Sequence, residues 1–208
     1  MMNSLRNVQD AIPAGYEFAR ASRLAMRVAS EIGHRLGEPV LPLFERFGGG
    51  HLYVTSTFGR QGDSVLVKPG PQLYAETAYW PATDVAALNE ALAEAIGHLF
   101  LHYPGARKRH GDAVVLGIPR FSQTTEQGQV RGEAVAFMIG FLMPQAKVVE
   151  AFDDGLDDEA VARLFGVTLR LAQARRHALR NHLAGALNQV PEAERHRHGR
   201  YRLSIVSV

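Results

Sequence analysis

Hydrophobic positions three and four apart alternate with polar ones over residues 15–36, where Phe18, Leu24, Val28 and Ile32 share one apolar face, so this stretch predicts a helix with Gly37 as its stop. Pro39 to Phe47 reads as a short helix or loop, and Gly48-Gly49-Gly50 breaks it. The triple glycine lacks the Lys and Ser/Thr of a phosphate-binding loop and fits a turn into a strand. Runs of β-formers at 51–57, 64–67 and 73–79 predict strands. A long helix is expected from Asp84 to Tyr103, with Thr83 as N-cap and Pro104-Gly105 as stop. Residues 113–118 read as a short extended piece or loop, and 122–129 as polar and exposed. From Glu133 to Leu142 the chain is apolar nearly all round, which predicts a buried helix ending near Pro144. Helices over 157–165 and 169–187, joined through Gly166-Val167-Thr168, complete the pattern, and 202–208 alternate like a strand.

These elements predict an α+β fold: a small, mostly antiparallel sheet packed on helices, followed by a helical C-terminal segment. The expected divisions are an N-terminal helical segment at 1–36, the core at 37–150, a helix-turn-helix-like pair at 151–190 and a basic tail at 191–208. Of the 208 residues, 46% are apolar and 21% charged, enough for a proper core and against disorder. There is no cysteine, which excludes disulfides, thiolate metal sites and cysteine nucleophiles and fits a reducing compartment. No apolar run has signal-peptide or membrane-span length, so the expectation is a cytoplasmic chain without a membrane partner.

The chemistry concentrates in Glu94-Ala95-Ile96-Gly97-His98-Leu99-Phe100-Leu101-His102. A zinc-hydrolase helix carries His-Glu-x-x-His: two histidines one turn apart hold the metal, and the Glu is general base for the attacking water. Here Glu94 stands where the first His would be and Ala95 where the base would be. The alternative register, His98-x-x-x-His102, places Leu99 after its first histidine and also lacks the carboxylate. No catalytic residue is therefore assigned. Residues four apart share a helix face, so Glu94 and His98 can reach one point, with His102 a turn further. Glu133 is the candidate third ligand, and the sole ionisable residue of its apolar helix. The plainer readings are a pair of hydrogen-bonded histidines and a first-turn acid that complements the helix dipole.

Three blocks in order resemble the ImmA/IrrE-type metallopeptidases. Ala-Ile-Gly-His-Leu-Phe-Leu-His resembles their metal helix, Glu133 leading to Phe141-Leu142-Met143-Pro144 their acidic-ligand helix, and Val161-Ala162-Arg163-Leu164-Phe165-Gly166-Val167-Thr168 their following helix pair. The resemblance covers roughly residues 35–185. It implies a zincin-like core, with the small sheet packed on active-site helices, and a regulatory setting of mobile elements, phages or stress responses, in which a helix-turn-helix repressor is cleaved or engaged. It carries the second histidine onto His98, the acidic ligand onto Glu133, the first histidine onto Glu94 and the catalytic Glu onto Ala95. Glu94, His98 and Glu133, with His102 as alternative, would then hold zinc weakly or not at all. Loss of a general base costs about 10²–10⁴ in rate, so the implied protein is a pseudo-peptidase that binds a transcription factor or repressor without cutting it, unless His102 or His110 substitutes. An active zinc endopeptidase with an unusual ligand set is the first alternative.

Charge supplies the second. The net charge is only +2 with a pI near 9.1, but the basic residues gather after Arg163. On the second helix of the C-terminal pair, Arg170, Gln173, Arg175, Arg176 and Arg180 could reach phosphates or guanine edges of DNA, or serve as a solvated face. The run Arg195-His196-Arg197-His198-Gly199-Arg200 could bind metal or phosphate, or be a solvated tail.

Overall fold

The computed structural model describes residues 8–43, 64–68, 74–77, 84–112, 114–119 and 124–188, without the side chains of 8, 10, 64–68, 74–77, 115, 117–119 and 182–188. The strand expected at 51–57, the triple glycine, the Thr83 cap and the basic tail lie outside these residues.

The α+β expectation is corrected: the described chain is predominantly helical, and its core is helix packed on helix. Seven helices lie wholly within the described residues: α1 (Phe18–Glu31), α2 (Val85–Leu101), α3 (Tyr103–His110), α4 (Thr125–Leu142), α5 (Gln145–Asp153), α6 (Asp158–Phe165) and α7 (Leu169–Asn188), and residues 41–43 are helical as well. The extended pieces are short: β1 (Val8–Asp10), β2 (Ser64–Lys68), β3 (Tyr74–Thr77) and β4 (Val115–Pro119). Their backbones pair in the order β1-β4-β2-β3, with β1 parallel to β4 and the other two pairs antiparallel. The strands are three to five residues long, and the main buried cluster is drawn from the helices and the segments between them.

Helix α4 is the axis of that core. Phe137, Phe141, Leu142 and Ala134 are fully or nearly fully buried, with α1 packed on one side and α2 on the other. Close approach is possible because the contact residues are small. A Cβ on Gly140 would lie 2.5 Å from Ser22 Oγ on α1, and one on Gly97 of α2 would lie 3.1 Å from Phe137 Cβ and 3.2 Å from the Ala134 carbonyl. Helix α1 presents Ala21, Ala25, Val28 and Ala29 to this contact. Phe18, placed on the apolar face by periodicity, is instead 49% exposed at the first helical position. The helix ends at Glu31 with Ile32 as its C-cap, and the chain turns at Gly33 (φ +71°), four residues before the expected stop at Gly37. One buried cluster runs from Ala21 to Leu179.

Caps set the other boundaries. Asp84 caps α2 by accepting from the amides of Ala86 and Ala87. Pro104 does not end the helical region: it sits in the first turn of α3, where a missing N–H costs nothing, and His102 is the joint between α2 and α3. Thr124 caps α4 by accepting from the Gln127 amide, so α4 begins eight residues before Glu133. Pro144 opens α5, a further helix directly after the expected end of the buried one. Among the described residues no single helix is long and apolar enough to cross a membrane; α4 and α5 pass that test only as a pair bent by 54°.

Candidate functional site

Three of the four singled-out polar residues meet. Helix α2 sets His98 and His102 one turn apart, and α4 brings Glu133 opposite them. Gly97, beside His98, allows α4 close enough for that meeting. Glu133 Oε2 lies 2.8 Å from His102 Nε2, and His102 Nδ1 lies 3.0 Å from His98 Nδ1. Both histidines and the acid are buried.

The carboxylate has two further donors. The Ala14 amide donates to Oε2 and the Tyr16 amide to Oε1, each at 2.9 Å. Both belong to the segment between β1 and α1, which crosses Glu133 as a strap. Between them Gly15 takes φ +75°, a left-handed conformation open to glycine. Two backbone N–H groups flanking such a residue form a concavity that holds an anion. Beside the strap is a cleft of ≈ 410 Å³, lined by strap residues Pro13, Gly15 and Tyr16 and by Gln129, Gly132 and Glu133 of α4.

The proton arrangement follows from these bonds. Burial works to raise the Glu133 carboxyl, but the donors Ala14, His102 and Tyr16 outweigh it and hold the group below its ordinary range. An ionised carboxylate only accepts, so His102 donates from Nε2. Its Nδ1 then accepts from His98 Nδ1–H, and the lone pair falls on His98 Nε2. That atom is buried and has no partner among the described residues. Burial, the neighbouring His102 and then Arg131 push His98 well below the usual histidine value, so it is neutral. Burial lowers His102 as well, against the pull of Glu133.

Glu94 does not join this chain. Its carboxylate lies 3.9 Å from Arg131 Nε, and burial raises it against the effect of Arg131. Ala95, where the resemblance would put a general base, is 2% exposed and belongs to the hydrophobic core. Most of the atoms expected to surround zinc are engaged: both oxygens of Glu133 accept hydrogen bonds, the Nδ1 atoms of the histidines face each other and Glu94 lies beside Arg131, so that of this set His98 Nε2 alone keeps a lone pair without a partner among the described residues. Among the described residues no three His, Cys, Asp or Glu side chains are grouped to hold a metal, and the set Glu94, His98 and Glu133 does not fit the ion in this arrangement. His110, the other candidate substitute, is exposed at the end of α3.

The first-turn reading of Glu133 is also corrected. The residue lies in the middle of α4, far from the helix end where the dipole acts, and direct hydrogen bonds account for its charge. Sequence reasoning missed the strap. Backbone amides have no side-chain signature, and only the Pro13-x-Gly15 spacing hinted at a turn before α1.

The nucleic-acid set is broken up. Arg170, Gln173 and Arg180 are exposed on α7, but Arg175 is buried at 6% exposure, its Nε without a partner among the described residues. Arg176 lies 4.1 Å over the Phe152 ring, donates to the Leu156 carbonyl at 2.8 Å and pairs with Asp158 at 3.0 Å. The turn before α7, whose end would enter a groove in a helix-turn-helix, is fastened to α2. Asn89 donates to the Gly166 carbonyl and accepts from the Val40 amide, both at 2.9 Å, and Glu90 accepts from the Thr168 amide at 2.7 Å. Gly166, with φ +63°, also lies against Gly37.

No protein-family model matches the chain, and a search of characterised proteins returns no match either.

Proposed function

We propose that this chain is a non-cleaving regulatory protein that binds a transcription factor or repressor, a pseudo-peptidase of the kind its resemblance to the ImmA/IrrE-type proteins implies. The observation that carries the reading is the carboxylate of Glu133, which is committed to two backbone amides and a histidine rather than to a metal. A buried acid that accepts from main-chain N–H groups is suited to holding polypeptide. A general base next to a metal-held water needs a free carboxylate in the place that Ala95 fills. Peptide recognition through main-chain hydrogen bonds gives affinity with little demand on sequence, and flanking pockets add specificity.

Capture from extracts of the native host on the full-length chain tests this. The expected result is a stoichiometric DNA-binding regulator, recovered intact and released at unchanged length after prolonged incubation with added zinc. Cleavage of the captured protein, lost on chelation, overturns the reading in favour of a working peptidase.

A further inference from the structure

The strap over Glu133 has the geometry of a bound peptide. Strand β1 runs parallel to β4 at the end of the strand order, so the first part of the segment adds to a sheet edge. Its continuation makes two hydrogen bonds to one carboxylate through amides two residues apart. Side chains contribute less. Ala11 is buried and Tyr16 packs partly on the core, but Ile12, Ala14 and Glu17 face outward, Ile12 at 42% exposure. The hold is mainly through main chain, which any polypeptide of suitable conformation can offer. The conformation is the selective part: Gly15 at φ +75° strains every L-residue with a β-carbon, although no atom lies within 4 Å of where that carbon would be.

We propose that the groove floored by Glu133 is a binding site for an extended peptide carrying glycine between two free backbone amides, and that residues 8–17 are its resident occupant, displaced when a partner segment binds. The inference rests on the peptide-binding reading above and names the ligand of that site. A tethered occupant competes at an effective concentration on the order of millimolar, so an external peptide gains access only by closer complementarity or by loosening of the strap. The partner segment enters as an edge strand beside β4 and places its glycine where Gly15 now sits. The cleft beside Gln129 and Gly132 receives the side chain that follows.

The test uses the full-length chain and a labelled peptide with the sequence of residues 8–17. Gly15→Val removes the left-handed conformation from the strap and leaves the groove intact. Fluorescence anisotropy should show the peptide binding this variant at least tenfold more tightly than the wild-type chain. A peptide with D-Ala at the glycine position should bind like the parent, since φ near +75° suits a D-residue, and one with L-Val should lose at least tenfold. Glu133→Gln in the Gly15→Val background should abolish binding. Equal binding to wild type and Gly15→Val, or equal binding of the L-Val and parent peptides, overturns the proposal. Hydrogen exchange of the wild-type chain needs no variant to fold: the Ala14 and Tyr16 amides should exchange at least tenfold faster than amides in the middle of α4. Exchange at the same rate as α4 would make the strap part of the core and overturn the proposal as well. Peptide binding without capture of any host regulator sinks the regulatory function alone. A regulator captured equally by wild type and Gly15→Val sinks this inference alone.

Discussion

Glu133 and Arg175 are both buried charges in this molecule, and the fold treats them in opposite ways. Glu133 receives three donors, from Ala14, Tyr16 and His102, and is kept ionised. Arg175 has a buried Nε that meets no acceptor among the described residues, and burial lowers its affinity for its proton. A buried charge is tolerated when its hydrogen bonds are complete and is a burden when they are not. The contrast separates a built site from a position that merely carries a charged residue. The same contrast divides Arg175 from its neighbour Arg176, whose guanidinium meets three partners: it stacks on Phe152, donates to the Leu156 carbonyl and pairs with Asp158.

The largest expected effect comes from removing the satisfied charge. Glu133→Ala leaves two backbone amides beside the cleft and the buried His102 N–H without their acceptor. Leaving a buried donor without its acceptor costs about 1–3 kcal/mol, and with three donors affected urea unfolding followed by circular dichroism should show a fall in the midpoint. A loss below 1 kcal/mol would mean water already reaches the three donors, and the contrast with Arg175 would disappear.

How these two charges are housed was only partly legible in the sequence. The residues of the polar chain were: His98 and His102 one turn apart, and an acid on an apolar helix. Their arrangement was not. The sequence placed Glu133 at the start of its helix because Gly128, Gly132 and the polar run from Thr124 obscure the periodicity. Thr124 and Gln127 stand at capping-box spacing and could have revealed the true start. β-forming composition at 51–79 predicts strands but does not say which elements supply the main core, and the described core lies mainly on helices. The C-terminal arginines were read as one face, whereas positions 175 and 176 are consecutive and point in different directions. Helical periodicity with Leu171, Ala172 and Leu179 puts 175 inward, a signal present in the sequence and outvoted by the charge. The strap was beyond reach, since its contacts are main-chain N–H groups.

A second measurement sharpens the contrast on the C-terminal side. Arg176→Ala removes a cation–π contact, a hydrogen bond to a backbone carbonyl and a partly buried ion pair at once. The expected loss is about 1–2 kcal/mol, summing modest contributions. The double-mutant cycle with Asp158→Asn should recover a coupling of roughly 0.5–1 kcal/mol; zero coupling would reduce the ion pair to a surface coincidence.

Acid acts on the polar chain next. In the unfolded chain His98 and His102 titrate near 6.5, while in the fold burial depresses both. Below about pH 6.5 the unfolded chain therefore binds more protons, and stability falls with pH; above it the contribution is fully present. Each histidine contributes a slope of at most about 1.4 kcal/mol per pH unit. Burial depresses His34 in the same sense. Glu94 works the other way: its raised carboxyl takes up a proton in the folded state at a pH above the unfolded value, which softens the loss nearer the carboxylate range. Urea midpoints between pH 8 and 5.5 should fall for the wild type and flatten in a His98→Gln/His102→Gln variant. A flat wild-type profile would contradict a neutral, buried histidine pair.

The smallest effect is the one with the opposite sign. Arg175→Met keeps an unbranched stem on the helix face shared with Leu171 and Leu179, four residues to either side, and deletes the guanidinium with its unmet Nε. Replacing a buried charge by an apolar side chain of similar length is often neutral or stabilising, so the urea midpoint should stay or rise, by up to about 1 kcal/mol of stability. The exposed residues of the same helix serve as controls: Arg170→Ala, Gln173→Ala and Arg180→Ala should each stay within about 0.5 kcal/mol. A loss above 1 kcal/mol in Arg175→Met would show that the guanidinium has an acceptor after all. Arg175 would then stand with Glu133 as a fully satisfied buried charge, and the helix pair would hold a second built site rather than a tolerated imperfection.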